Sequence, residues 1–423
     1  MKNKILKAVT SHYLQSNDFN GIAYRSLISK NFDNEDIIIS SLRELLEEDK
    51  IDMAYPEYHP NPHIKAFSGI EKKDQIERLT NKESLKQTCV YPSQALLSEV
   101  VDPTKYSDRP YTKELVLGAG QLDFRSFDVA VLEFYRNDPR YYYENDDIRG
   151  KIYAKDDYYE SDTMMESDQV FLQTFGFSYS KNLDRAVAVY LRYLHDLSSE
   201  HQQIWKSKEL SGKYSLHPDY FRNTILGDFG EKISIFDAFI KELEIINYMC
   251  EKMGKPNLFH KTFVDEKPRG FGFLLRPTLS EFNFFVHLLD KMISDNINKR
   301  FFKDDLALEN ENERSDGKII ITQKSTLVLL EEWLQKNFIP EDSKPIEDMI
   351  TTFKKVRKLR IKPAHLVNED VFDQKYFKQQ RELIKDSYKA IRTIRLIFAN
   401  FPGVKENPPE ISRLLFEGKI WDI

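Results

Sequence analysis

An arginine and a histidine in the last third of the chain are the residues best suited to chemistry. Arg360 lies seven residues after Phe353 and four after Val356, so the helical period that turns those two residues inward also directs the guanidinium inward. A guanidinium placed there needs an anionic partner, because its desolvation is costly unless it is paired. A carboxylate from a neighbouring helix would serve, and so would a phosphate. His365 follows five residues after Arg360.

The segment that contains Arg360 is strongly basic. Six Lys and Arg side chains fall within residues 354–362, in a chain of 423 residues whose net charge is −6. Lys354, Lys358 and Lys362 are four apart and would form one exposed row on a helix, where RNA would bind. A solvated helix face is the alternative interpretation. Because the whole chain is acidic, any nucleic-acid site must be local.

Helical patterns dominate the sequence from about residue 231 and predict the elements that position these residues. Apolar stripes at helical spacing predict helices that begin near Ile233, Thr278, Leu327, Ser343 and Asp373. The helix that begins near Thr278 also has a capping box at its N-terminus. The polar stretch 304–316 is predicted to be a loop. The last four of these helices are expected to pack as an up-and-down bundle over about 276–400.

The bundle and its motif together resemble the HEPN family, whose helical domains carry an Arg, four to six residues and a His near the start of the last long helix. Here the motif reads Arg360-Ile361-Lys362-Pro363-Ala364-His365, and the resemblance covers about residues 276–400. It implies metal-independent RNA cleavage with Arg360 and His365 as catalytic residues. The imidazole would move protons at the ribose 2′-OH or the leaving 5′-oxygen, and the guanidinium would stabilise charge on the phosphoryl group. The family also implies a homodimer through the C-terminal bundle that pools two Arg/His sets.

Residues 1–68 are predicted to form a compact winged-helix-like domain. Apolar residues at helical spacing predict helices near Ile5, Tyr24 and Ile37, and alternation over 51–55 predicts a strand. In that resemblance the third helix would enter the major groove of DNA. Its exposed side is mostly acidic, which phosphates would repel, so protein binding is the alternative role.

Residues 69–230 are predicted to form an α+β middle domain. Residue types that favour strands occupy 129–135, 140–143, 150–153 and 171–179, and a helix is predicted from about Asp184 to Ile204. With 1–68 before it and 231–423 after it, this domain completes a mainly α, multidomain protein.

Composition limits the compartment and the ligands. The two cysteines, Cys89 and Cys250, are too few for a disulfide scaffold or a Cys-rich zinc module and fit a reducing compartment. No apolar run is long enough to span a bilayer, so we expect no membrane contact and a cytoplasmic location. No glycine-rich nucleotide loop is present, and neither a cofactor nor a metal is expected.

The leading hypothesis is therefore a HEPN-type endoribonuclease of a bacterial defence or toxin system, with RNA as its substrate and a protein partner or antitoxin as a further ligand. The alternative hypothesis is a non-enzymatic winged-helix regulator or adaptor that uses the helical bundle for dimerisation. A third hypothesis is a subunit of a larger complex, which the Tyr- and Phe-rich middle region would contact.

Overall fold

Two compact units make up the chain. The computed structural model describes residues 1–29, 34–57, 59, 61–65, 70–228, 230, 232–313, 319–361 and 369–421. The first unit consists of residues 1–143 and 150–217, and the second of residues 144–149 and 218–423. The domain boundaries placed at residues 68 and 230 stay predictions.

The prediction of a mainly α protein is wrong. Helices make up 50% of the structure and strands 14%, and the strands form several antiparallel sheets, so the chain is a mixed α/β protein. The predicted C-terminal four-helix bundle is wrong as well. A β-hairpin and two 3-10 turns interrupt the helices of that region. Apolar stripes predict single helices, but they do not show what the chain inserts between one helix and the next.

The N-terminal part of the first unit packs helices against a three-stranded sheet. Its elements are, in chain order, α1 Lys2–Gln15, β1 Ile22–Ala23, α2 Tyr24–Ser29, α3 Glu35–Glu47, β2 Ile51–Ala54, α4 Lys72–Arg78, α5 Lys82–Leu85 and β3 Cys89–Pro92. Strand β3 lies between β1 and β2 and is antiparallel to both. The helices predicted near Ile5, Tyr24 and Ile37 and the strand predicted at 51–55 are confirmed. The winged-helix resemblance stays a prediction.

A six-stranded sheet dominates the middle of the chain. The elements are α6 Gln94–Val100, α7 Pro110–Val116, β4 Phe124–Phe127, α8 Val131–Asn137, β5 Tyr141–Asn145, β6 Arg149–Ala154, α9 Asp156–Tyr159, β7 Phe171–Tyr179, β8 Arg185–Tyr190, α10 Leu191–His195, α11 Ser199–Lys206 and β9 Ser215–Leu216. The strand order is β4-β8-β7-β6-β5, and β9 pairs with β7. Strand β8 is antiparallel to both β4 and β7.

Two elements of this region differ from their prediction. Residues 185–190 were predicted to be helical but form β8, in which every residue from Ala186 to Tyr190 is buried. A continuous apolar run carries no alternation, so its period does not separate a buried strand from a helix. Residues 129–135 were predicted to be a strand, but residues 131–137 form α8, whose Val131 and Tyr135 are buried one helical turn apart. Packing overrides strand propensity there.

The second unit contains the longest helices. Its elements are α12 Pro218–Phe221, a π-helical turn Arg222–Leu226, α13 Ile235–Lys252, α14 Leu279–Met292, 3-10 turns Ser294–Asn296 and Lys299–Phe302, β10 Glu309–Glu313, β11 Ile319–Gln323, α15 Thr326–Asn337, α16 Lys344–Ile361, α17 Lys375–Phe398, α18 Pro402–Glu406 and α19 Arg413–Glu417. Helix α17 packs against α13 and α16, and α14 packs against α16. All five predicted helix starts are confirmed, and the Thr278 hydroxyl caps α14 by accepting the Glu281 N–H at 3.2 Å.

Strand β10 occupies residues that were predicted to be a loop, and it pairs with β11 in an antiparallel hairpin. Among the helices of the described ranges, none combines the length and the apolar character that crossing a bilayer requires.

Candidate functional site

Two carboxylates hold Arg360 at the last turn of α16. Its Nη1 donates to Asp290 Oδ2 at 2.6 Å and to Asp295 Oδ2 at 2.5 Å. Asp290, on α14, has a fully buried side chain, whereas Asp295, in the 3-10 turn that follows α14, is exposed. The hydrogen bonds to Asp290 and then Asp295 raise the pKa of Arg360. Of the two anionic partners that the sequence allowed, the carboxylate is present.

One edge of the Arg360 guanidinium, formed by Nε and Nη2, is open in the sense that no hydrogen-bond acceptor of the described residues occupies it. Both carboxylates bind the same nitrogen, and no acceptor for Nε or Nη2 is found in the described part of the chain. The side chain keeps 29% of its surface exposed. Because the donors of arginine form a rigid planar fork, Nε and Nη2 can donate together to two oxygens of one phosphate.

Arg360, Asp290 and Asp295 form a cluster, the Arg360 cluster, whose buried end depends on Arg360. Asp290 Oδ1 is buried and has no hydrogen-bond partner among the residues described. A carboxylate in that position requires the guanidinium, because a buried charge without a partner is strongly destabilising. Arg360 therefore stabilises the fold as well as presenting its open edge. No group of three or more His, Cys, Asp or Glu side chains within the described ranges could hold a metal ion.

A second imidazole, His287, lies near the same charges. It precedes Asp290 by three residues on α14, so both side chains lie on one face of that helix. Burial lowers the pKa of His287 most, Lys291 and Arg360 lower it further, and Asp290 and Asp295 raise it. The sequence analysis did not identify His287. The signal that could have identified it is its position three residues before Asp290, on the same face of a predicted helix.

His365 and Lys362 lie outside the described residues, which stop at Ile361 and resume at Glu369. Their predicted roles in catalysis and RNA binding stay predictions from the motif. The structure thus brings Arg360 together with Asp290 and Asp295 and provides no geometry for His365.

The predicted basic row is partly neutralised by neighbouring helices. Lys354 is exposed, and its Nζ lies 2.8 Å from Glu331 Oε2 on α15. Lys355, beside it, pairs with Asp386 at 3.3 Å. Lys358 is exposed, and no ion pair of its ammonium is found in the described ranges. A polyanion that binds along this row must therefore compete with at least one carboxylate.

Comparison of the chain with protein-family models, with curated proteins and with solved structures gave no match. The HEPN and winged-helix resemblances therefore rest on the residues of this chain alone.

Proposed function

We propose that this protein is a metal-independent endoribonuclease of the HEPN type in which Arg360 binds the scissile phosphate. The observation that carries the proposal is the open Nε and Nη2 edge of a guanidinium that Asp290 and Asp295 already hold through Nη1. A side chain that is fixed before the substrate arrives loses little freedom on binding. Its fixed donors then stabilise the negative charge that develops on the phosphoryl oxygens.

His365 transfers protons in the proposed reaction. An imidazole in general titrates near neutrality, and so this side chain is suited to take the proton of the 2′-OH or to give one to the leaving 5′-oxygen. Attack of the 2′-oxygen on the adjacent phosphorus forms one P–O bond and breaks the bond to the 5′-oxygen. The products are a 2′,3′-cyclic phosphate and a 5′-hydroxyl. His287, which lies near Arg360, is the candidate for the complementary acid or base.

The proposal also includes the cellular setting that the resemblance implies. The enzyme acts in the cytoplasm on RNA, as part of a bacterial defence or toxin system. It forms a homodimer through the helices of the second unit, and a protein partner or antitoxin inhibits its activity.

Cleavage of a labelled RNA by the purified protein, in the presence of a chelator, tests the proposal. The wild type is expected to cleave, and Arg360→Ala and His365→Ala are each expected to lose about 10²- to 10⁴-fold in rate. Lys344→Ala is the matched control, because Lys344 pairs with Asp348 on the exposed surface of α16. It lies sixteen residues from Arg360, about 24 Å along the helix, and should keep the full rate.

Arg360→Lys separates catalysis from folding. Lysine keeps a positive charge beside Asp290 but lacks the planar fork that binds two phosphate oxygens. We expect this variant to fold with nearly the wild-type free energy of unfolding and to lose most of the cleavage rate. Cleavage that survives in both Arg360 variants, or that requires a divalent metal, contradicts the proposal.

A further inference from the structure

A basic cleft borders the Arg360 cluster within the second unit. Its volume is about 610 Å³, which is within the range of about 300–1,000 Å³ typical of pockets that bind small ligands. Lys299 and Arg300 line it from the second 3-10 turn, and Arg357 lines it from α16. His260 and Asp295 also border it. Asp295 therefore belongs both to the cleft and to the cluster that holds Arg360.

Among the residues that the structure describes, no carboxylate pairs with the three cations that line this cleft. Within the described ranges, no ion pair is found for Lys299, Arg300 or Arg357. By contrast, three lysines of α16 are each paired with an acidic side chain: Lys344 with Asp348, Lys354 with Glu331 and Lys355 with Asp386. Asp295, the acidic residue in the cleft lining, is already bound to Arg360. Three cations without an ion pair in the described part of the chain converge here, although the net charge of the chain is −6, and this favours an anion as the ligand of the cleft.

A buried hydroxyl provides a second, independent observation. Ser294 also lines the cleft, is fully buried, and its Oγ has no hydrogen-bond partner among the described residues. Its carbonyl is fixed, because it accepts a hydrogen bond from the Thr326 hydroxyl at 2.7 Å. A buried polar atom without a partner is unfavourable. Because Ser294 Oγ has almost no solvent-accessible surface, an anionic oxygen in the cleft would accept its hydrogen bond only after the side chain rotates toward the cleft.

We infer that this cleft binds the phosphate backbone of a single RNA strand, beside the phosphate that Arg360 holds. The inference rests on the proposed function, because the strand in the cleft is the substrate of that reaction. Arg357 and Arg360 are three residues apart on α16, so their Cβ atoms are about 5–6 Å apart and the two guanidiniums can bind successive phosphates. Lys299 and Arg300, which line the same cleft, add two further cations to Arg357.

Binding of a short RNA in which every 2′-OH is methylated tests the inference without cleavage, because the nucleophile is blocked. Fluorescence anisotropy is measured between about 50 and 200 mM salt. Arg300→Ala/Arg357→Ala is expected to bind about tenfold or more weakly, and its salt slope should be shallower by about 0.7 for each phosphate that the variant no longer neutralises. Lys344→Ala/Lys378→Ala removes two exposed charges from α16 and α17 and is expected to bind like the wild type.

The outcomes separate this inference from the proposed function. If the Arg300/Arg357 variant binds RNA as tightly as the wild type, the cleft is not the RNA site, whatever the cleavage assay shows. If the wild type binds only inorganic phosphate and no RNA, the inference is also wrong. If RNA binding depends on Arg300 and Arg357 but no RNA is cleaved, the inference holds and the proposed cleavage reaction fails. Circular dichroism of each variant verifies that it is folded.

Discussion

Some charged residues of the second unit are buried, and the contacts of Arg360 show that a buried charge requires a partner of opposite charge. Its guanidinium pairs with Asp290, which is buried, and with Asp295, which is exposed. Two carboxylates around one arginine leave a negative cluster, which alone would repel RNA. Lys299, Arg300 and Arg357, for which the described residues provide no ion pair, line the cleft that Asp295 borders and offset that charge. The phosphate binding proposed for Arg360 would therefore depend on residues that the motif does not include.

Asp146 provides a pH-dependent test at the scale of one residue. Burial, opposed by hydrogen bonds from the Ile148 and Arg149 N–H groups, raises the pKa of Asp146 to about 6. The folded protein thus holds a proton that the unfolded chain releases at about pH 4. The stability that this proton contributes is fully present below about pH 4 and is lost as pH rises through about 6.

Asp146→Asn removes this pH dependence while an amide oxygen can still accept both N–H groups. Between about pH 4 and pH 7, the free energy of unfolding of the wild type should fall relative to the variant by up to about 3 kcal/mol. Urea unfolding at a series of pH values measures the difference. A difference that does not change with pH would show that the carboxyl keeps its ordinary pKa.

The sequence predicted one half of the Arg360 site. The seven-residue spacing to Phe353 on a clear helix is local information, and it correctly indicated an inward guanidinium that needs an anion. Asp290 and Asp295 lie 70 and 65 residues earlier in the chain. No local pattern joins them to Arg360, because the packing of α14 against α16 creates the contact. The cleft is equally nonlocal, since its cations come from α16 and from a 3-10 turn.

At the scale of elements, prediction succeeded where the helical period is regular. The helices from α13 to α17 each bury one apolar stripe, and the period of 3.6 residues identifies such a stripe. The prediction for the residues of β8 failed because their continuous apolar run has no period. The prediction for β10, whose sequence is Glu-Asn-Glu-Asn-Glu, failed for another reason. Its residues are polar, and its strand conformation depends on pairing with β11.

A buried ion pair joins two of these helices and gives a test of element packing. Arg395 of α17 donates to Glu242 of α13, and both side chains are almost completely buried. Burial raises the pKa of Glu242, and the hydrogen bond from Arg395 opposes that effect. Arg395→Ala leaves Glu242 buried without its partner and should lower the free energy of unfolding by about 3–5 kcal/mol.

The matched control replaces both members of the pair. Glu242→Leu/Arg395→Met removes both charges and keeps most of the volume, so it should destabilise the protein far less than Arg395→Ala. Denaturant unfolding of the two variants provides the comparison. If the double variant is the less stable of the two, the pair stabilises the packing of α13 and α17 through more than mutual neutralisation.

At the scale of the whole molecule, the HEPN resemblance implies a homodimer that brings two Arg/His sets together. Light scattering should therefore show a dimer at the concentrations used for the cleavage assay, and the dimer should persist in Arg360→Lys, which leaves the helix surfaces unchanged. An active protein that is monomeric throughout the assay range would contradict a site shared between two subunits.

The chemical identity of the new RNA ends tests the proposed mechanism most directly. Mass spectrometry is applied to the products that the wild-type protein makes in the presence of a chelator, from RNA with and without a single 2′-deoxy nucleotide at the preferred cleavage position. Because the 2′-oxygen is the nucleophile, the mechanism predicts 2′,3′-cyclic phosphate and 5′-hydroxyl ends, and no cleavage after the 2′-deoxy nucleotide. Ends with a 3′-hydroxyl and a 5′-phosphate, or cleavage after the 2′-deoxy nucleotide, would contradict it, since water would then be the nucleophile.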